Sequence, residues 1–250
     1  MSEVCDFYDA LAPLYHLVYE DWERSISEQS KTLDALIRAT ELRRTRSVLD
    51  VACGIGTQSL ALASVGYDVT GSDLSAVAIQ RARREARQRQ LCISFSVADM
   101  RRAYEHYGRS FDLVMCADNA VPHLLSDDEI FKALQALFEC TSHGGLCVIS
   151  VRDYDAVRAT GVRLVPHGVH VENGMRYVVM QVWDWRGELY DLHLYITTDR
   201  GSACETQVMR STYYAVSTDT LIQLMTRAGF SQVRRIDGAF FQPIVLGLRV

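Results

Sequence analysis

The sequence predicts an α/β fold built on a doubly wound, mostly parallel sheet, and three observations carry that expectation. From residue 47 onward, short runs rich in Val, Leu and Ile alternate with longer polar stretches of helical character. Those runs are near-continuously apolar, which points to strands buried on both faces, as in a parallel sheet flanked by helices. The first run ends in a glycine turn, Cys53-Gly-Ile-Gly56, and a helical pattern starts immediately after it.

Taken in order, SVLDVAC (47–53) is the first expected strand, with a helix from about Thr57. YDVTGSD (67–73) is the second, followed by a long helix over 75–90 capped by Ser75. ISFSVAD (93–99), FDLVMCAD (111–118) and GGLCVISV (144–151) continue the alternation. A helix over 127–142 begins with Asp127 and Asp128 and is expected to stop at Gly144-Gly145. The rhythm then changes. Residues 165–215 alternate apolar and polar side chains, with Asn173-Gly174 and Arg186-Gly187 as turn signals, so an antiparallel β insertion is expected there. A helix over 217–228, a strand over 231–237 and a last strand over 244–250, antiparallel on the sheet, complete the pattern. One domain is expected over 1–250, divided as 1–40 (an N-terminal helical segment), 41–152 (the core), 153–215 (the β insertion) and 216–250 (the last helix and strand pair).

Composition narrows the function. At 250 residues with 48% hydrophobic and 23% charged side chains, the chain is an ordinary folded protein, not a collagen-like or disordered one. The net charge of −5 argues against a nucleic-acid partner. An acidic N-terminus without an apolar core is no signal peptide, and no apolar run is long enough to span a membrane. Seven cysteines without a C-x-x-C pair argue against a metal site or disulfide framework, so a reducing, cytoplasmic setting is expected. The arginine-rich stretch at Arg81, Arg83, Arg84, Arg87 and Arg89 is expected to be a solvated helix face.

The chemistry sits at the strand ends. Glycines at 54 and 56 let the backbone approach a ligand, and the following helix N-terminus presents free N–H groups. Asp73, ending the second strand, can accept the hydroxyls of a ribose. Asp99 and Met100, after the third, can meet an adenine amino group and pack on its ring. A dinucleotide fold would want a third glycine where Ser59 stands, whereas Asp50 completes the D-x-x-C-G-x-G spacing of S-adenosylmethionine sites.

Over almost its whole length the chain resembles the class I methyltransferases of the glycine N-methyltransferase and glycine/sarcosine N-methyltransferase group. The residues that carry the resemblance are Tyr8-Asp9, Tyr15-His16 and Tyr19-Glu-Asp-Trp22, then Cys53–Gln58 and Gly71–Ser75, then Ala117–Leu124, Arg152-Asp-Tyr-Asp155 and Gln181–Trp185. It implies a Rossmann-like, seven-stranded sheet whose last strand is antiparallel, with the β insertion covering the substrate side and residues 1–40 forming a flap. It also implies S-adenosyl-L-methionine as cofactor, with S-adenosyl-L-homocysteine as product. Cofactor contacts would fall on Tyr19, Trp22 and Arg24; on Asp50, Ala52, Gly54, Gly56 and Gln58; on Asp73 and Leu74; and on Asp99, Met100 and Ala117. Acceptor-side roles would fall on Asn119, His123, Arg152 and Tyr15. Arg152 would hold a substrate carboxylate in a bidentate clasp. His123 is left open between proton relay and packed support for Asn119. The function expected is N-methylation of a small amino acid, glycine or sarcosine. The alternatives are N- or O-methylation of a larger natural-product intermediate, or a non-catalytic S-adenosylmethionine-binding protein. The acceptor is expected to be a small molecule, an amino acid or an amine with a carboxylate. The oligomeric state stays open.

Overall fold

A computed structural model of the chain describes residues 3–40, 45–157 and 161–250. The expected boundary at residue 41, and residues 158–160 of the expected insertion, lie outside the described residues. Helix α1 (Glu3–Leu11) runs into a 3₁₀ turn (Ala12–Val18) and then α2 (Trp22–Ala39). The core follows as β1 (Ser47–Asp50), α3 (Thr57–Ser64), β2 (Asp68–Asp73), α4 (Ala76–Gln88), β3 (Ser94–Val97), α5 (Ala103–Tyr107), β4 (Phe111–Cys116), α6 (Asp127–Cys140) and β5 (Thr141–Ser150). A short α7 (Tyr154–Val157) leads to four long strands, β6 (Val162–Glu172), β7 (Met175–Arg186), β8 (Leu189–Asp199) and β9 (Cys204–Tyr214). Helix α8 (Thr218–Arg227), β10 (Ser231–Ile236) and β11 (Ile244–Leu248) close the chain.

Seven strands form one sheet in the order β10-β11-β5-β4-β1-β2-β3, and β6 to β9 form a second, wholly antiparallel one. Within the first sheet β11 alone is reversed, antiparallel to both β5 and β10. Strand order turns back beside β1, which pairs with β2 on one side and β4 on the other. Ligands of open α/β sheets bind at the carboxyl edge of such a switch point. The apolar runs explain why the sheet is buried: Val48, Leu49, Val114, Cys147 and Leu246 are fully enclosed, between α6 and α8 on one face and α2 and α3 on the other.

Serines at 75, 126 and 217 accept a backbone N–H from the first turn of α4, α6 and α8, which sets where these helices begin. Contrary to the expectation from the sequence, the Gly144-Gly145 pair does not stop α6. The helix ends at Cys140, and both glycines lie within β5. Their use is a bulge: the β4–β5 register shifts between Phe111 and Leu113, and a Cβ on Gly145 would stand 2.8 Å from the Ser142 carbonyl oxygen and 2.9 Å from that of Asp112. Nor is the arginine-rich stretch only a solvated face. Arg81 is buried and donates to the carbonyls of Ala12 (2.7 Å) and Pro13 (3.0 Å), tying the N-terminal turn to α4.

The second sheet lays an aromatic inner face, Tyr177, Trp183, Tyr190 and Tyr213, on α1 and the 3₁₀ turn. The same face reaches α7 through Tyr154. Asn173 and Gly174 both have positive φ (52° and 77°), the geometry of a tight hairpin between β6 and β7. No helix of the described residues is long and apolar enough to cross a membrane, and no cluster of metal-ligating side chains occurs among them.

Candidate active site

The site is built from the ends of β1, β2, β3 and β4. After β1 the chain turns through Gly54 (φ 53°) and Gly56 (φ 97°), both in the left-handed region where glycine is favoured. The Gly54 N–H donates to Asp73 Oδ2 (2.9 Å), and the Ser75 N–H donates to Oδ1 (2.9 Å), so the carboxylate is aimed by two backbone bonds. Burial pushes the Asp73 carboxyl up, against the pull of these bonds. A carboxylate has about four acceptor positions, so two remain for a diol.

A cavity of about 320 Å³ opens on this edge. Ala52, Gly54 and Gln58 line it from the first turn, Asp73 and Leu74 from the second, and Asp99, Met100 and Ala117 from the next two strand ends. Tyr8, Tyr15 and Tyr19 close it from the N-terminal segment, and Tyr15 Cε1 lies 3.3 Å from where a Cβ on Gly54 would be. The residues fit an adenosyl group: a diol-accepting carboxylate, an apolar slot of Val51, Leu74, Met100 and Leu124, and a glycine turn that leaves room for close approach. Asp99 is on the cavity but engaged: Arg101 donates to it through the backbone N–H (2.9 Å) and through Nε (3.0 and 3.1 Å). Burial pushes its carboxyl up and the Arg101 bonds outweigh that, holding it below the ordinary range.

Four expected cofactor contacts lie elsewhere. Arg24 is exposed on α2 and pairs with Glu28 at 2.7 Å. The Trp22 indole N–H donates to Thr57 Oγ1 (2.9 Å), and its ring is faced by the guanidinium groups of Arg81 and Arg89 at 5.3 and 5.2 Å, away from the cavity lining. Gly56 is the N-cap of α3, packed against Leu60 and Ala82. Asp50 is buried under the turn, where Ser59 Oγ donates to Oδ2 (2.8 Å) and Oδ1 has no partner; burial pushes its carboxyl up to about 7. Its place is support of the turn. Ser59, the residue that breaks the dinucleotide glycine pattern, is the donor that holds it.

The acceptor-side residues divide between two cavities. His123 lines the first, half-buried, with Tyr8 OH at 2.8 Å from Nε2, Ser211 Oγ at 3.3 Å from Nδ1, and the Tyr213 ring 4.1 Å away. Burial, with the nearby Arg152 charge, pushes the ring down to about 3. A base that weak does little near neutral pH. Asn119 is buried outside the lining: its Oδ1 accepts from the Arg152 N–H (3.0 Å) and from Tyr154 OH (3.0 Å). Arg152 lines a second cavity of about 560 Å³, with Val18, Glu28, His167, Phe240 and Gln242. Tyr19 and Asp118 line both cavities, and the Tyr19 O–H donates to Asp118 Oδ2 (2.9 Å) in the wall between them.

Asp118 was given no role from the sequence, although it lies inside the motif that holds Asn119. The signal available was an Asp-Asn pair directly after a strand, since these two residue types tolerate positive φ, and here they have it (54° and 65°). Tyr154 and Tyr190, hydroxyls 3.1 Å apart, and Gln242 carried no such signal.

Residues 48–145 match the methyltransferase domain family. They thus carry a methyltransferase domain, and the chain has the fold of solved S-adenosylmethionine-dependent methyltransferases. It is similar to a glycine/sarcosine N-methyltransferase of Parasynechococcus marenigrum (strain WH8102), 34% identical over 143 residues that cover 56% of this chain and 51% of that protein. It is also similar to the glycine N-methyltransferase of Oryctolagus cuniculus, 31% identical over 163 residues, 60% of this chain and 54% of that one. The matched stretch thus spans about half the length of these curated relatives. An amino pentose methyltransferase from Micromonospora echinaspora, solved with S-adenosylmethionine bound, shares the fold with a TM-score of 0.76 at 18% identity, covering 90% of this chain and 92% of that one.

Proposed function

We propose that this chain transfers a methyl group from S-adenosylmethionine to the amine of a small amino acid, with glycine and sarcosine the first acceptors to test. The observation that carries the reading is Arg152. Its guanidinium stands 5.0 Å from the Trp183 ring and 5.8 Å from that of Tyr213, and donates to Tyr190 OH (3.1 Å). It makes no ion pair among the described residues, and the neighbouring Asp153 is paired with Arg235 instead. A recessed cation walled by aromatic rings and lacking a carboxylate of its own suits one brought by a substrate.

When bound, the cofactor supplies an electrophilic methyl on a sulfonium. The protein's part is then positioning, which can contribute on the order of 7–11 kcal/mol. Arg152 holds the acceptor carboxylate; Asn119 fixes the Arg152 backbone; Tyr8, Tyr15 and Tyr19 exclude water from the space beside Gly54. His123, neutral and bonded at both ring nitrogens, holds Tyr8 and Ser211 in place.

A methyl-transfer assay with glycine, sarcosine and dimethylglycine tests the acceptor. Turnover of at least one is expected, and silence on all three, with cofactor binding intact, removes the amino-acid reading. A second reading, methylation of a larger amine, is favoured by one feature. The second cavity has room for far more than glycine, since a water takes about 30 Å³ of liquid volume and this space is about 560 Å³.

A further inference from the structure

We propose that Asp118 is the amine-recognising residue of this enzyme: it holds the cationic nitrogen of an acceptor lying in the second cavity with its carboxylate on Arg152, and it takes the proton that this nitrogen loses before methylation. The proposal rests on the methyltransferase reading above.

Of the charged side chains lining the second cavity, Glu28 is already paired with Arg24, which leaves one acid and one base that do not touch each other. Arg152 and Asp118 both face the second cavity, yet no ion pair joins them and neither pairs with any other side chain of opposite charge among the described residues. Such an arrangement matches the ends of a zwitterion. Asp118 is also the only carboxylate on the surface that the two cavities share, since of the residues lining both only it and Tyr19 recur. In this proposal a nitrogen held on Asp118 lies at the boundary with the first cavity.

The carboxylate is aimed but not used up. Tyr19 OH donates to Oδ2 (2.9 Å), Gln242 Nε2 donates to Oδ1 (3.3 Å), and the Asp118 backbone N–H donates to Ser150 Oγ (2.8 Å). Of about four acceptor positions on a carboxylate, two stay available for an ammonium. Burial pushes its carboxyl up, partly offset by the Arg152 charge, which suits a group that must accept a proton. The other titratable groups that face it are fixed in charge over the working range. Tyr15 and Tyr19, from the N-terminal segment, are pushed well above their ordinary value by burial. Arg152, after β5, stays cationic, and burial pushes His167 of β6 down.

The proton balance is simple. The ammonium N–H bond breaks, an O–H bond forms on Asp118, and the nitrogen keeps the electron pair as a neutral amine. After turnover Asp118 returns the proton to water through the second cavity. A hydroxyl acceptor offers no positive charge to this carboxylate, so the residue selects nitrogen over oxygen.

The test is Asp118→Asn, which keeps the shape and the bond from Tyr19. Asp118 also borders the first cavity, so cofactor affinity is measured alongside by calorimetry, and kcat/KM for the amino acid should fall about 10- to 100-fold further than that affinity does. The pH profile separates recognition from mere support. In the natural protein kcat/KM should reach a plateau once Asp118 is ionised; in Asp118→Asn it should keep climbing with pH up to the amine's own pKa. An unchanged profile and unchanged kcat/KM would overturn the proposal. A check that needs no variant is binding of glycine against glycolate to the natural protein. Glycine should bind at least tenfold more tightly, and equal affinities would overturn the proposal even where no amino acid is methylated.

Discussion

Replacing Arg152 is the most direct way to test how the acceptor is held. Among the described residues the side chain is the only Lys or Arg lining the second cavity, so its loss leaves a carboxylate bound there with no such cation beside it. Hydrogen bonds to charged groups contribute about 1.5–3 kcal/mol, and breaking a fully buried pair costs about 3–5 kcal/mol. Solvent reaches this cavity, so the lower range applies. A loss of about 2–3 kcal/mol corresponds to a fall of roughly 30- to 150-fold in kcat/KM. Arg152→Ala should therefore raise KM for the amino acid by that order while leaving cofactor affinity nearly unchanged, because Arg152 does not line the first cavity, where the cofactor is proposed to bind. Arg152→Lys keeps the charge but loses the fork, and should recover only part of the deficit. Steady-state kinetics with calorimetry of cofactor binding would decide it. Natural kinetics in Arg152→Ala, or an equal loss in cofactor affinity, would refute the clamp.

Other perturbations test the framework of the site. Asp50 is pushed up to about 7 in the folded protein, above its ordinary 3.8, so its stabilising contribution is complete below pH 3.8 and is lost as pH rises through 7. Asp50→Asn should therefore raise Tm relative to the natural protein more at pH 8 than at pH 5, measured by thermal unfolding at both. His123 has the opposite sign. Its pKa falls from 6.5 to about 3, so its contribution is complete above pH 6.5 and is lost as pH falls toward 3. His123→Gln should make the fold less acid-sensitive between pH 6 and 4 and leave the limbs of the kcat/KM profile where they are. Gly145→Ala puts a methyl within 3 Å of two carbonyl oxygens that cannot yield. The cost of such overpacking is about 1–3 kcal/mol, a fall of roughly 2–10 °C in Tm with activity preserved in the folded fraction.

The architecture was legible because its causes are local. Near-continuous apolar runs such as Val48–Val51 place strands between two helical layers, and Asn173-Gly174 can only sit in a tight turn. The glycine turn, Asp73 and the Asp99-Met100 pair were legible for the same reason: each ends a strand, and parallel strands bring their carboxyl ends to one edge. Where local signals had two physical meanings, the sequence could not choose. Gly144-Gly145 fits a helix stop or a bulge, and the approach of Asp112 from a neighbouring strand decided for the bulge. Arg81 fits a solvated face or an anchor, and the Ala12 and Pro13 carbonyls, about seventy residues away, decided for the anchor.

The two cavities and the wall between them belong wholly to tertiary structure. Tyr19 and Asp118 stand 99 positions apart and meet at 2.9 Å. Arg152 owes its surroundings to Trp183, Tyr190 and Tyr213 from three strands of the insertion. Residue type and strand-end position sufficed to foresee most of the residues that line the first cavity, because backbone geometry repeats along one sheet edge. Which charged group stands free to meet an acceptor depends on whether long-range packing has already supplied its partner. Asp153 found Arg235; Asp118 and Arg152 were left facing one cavity.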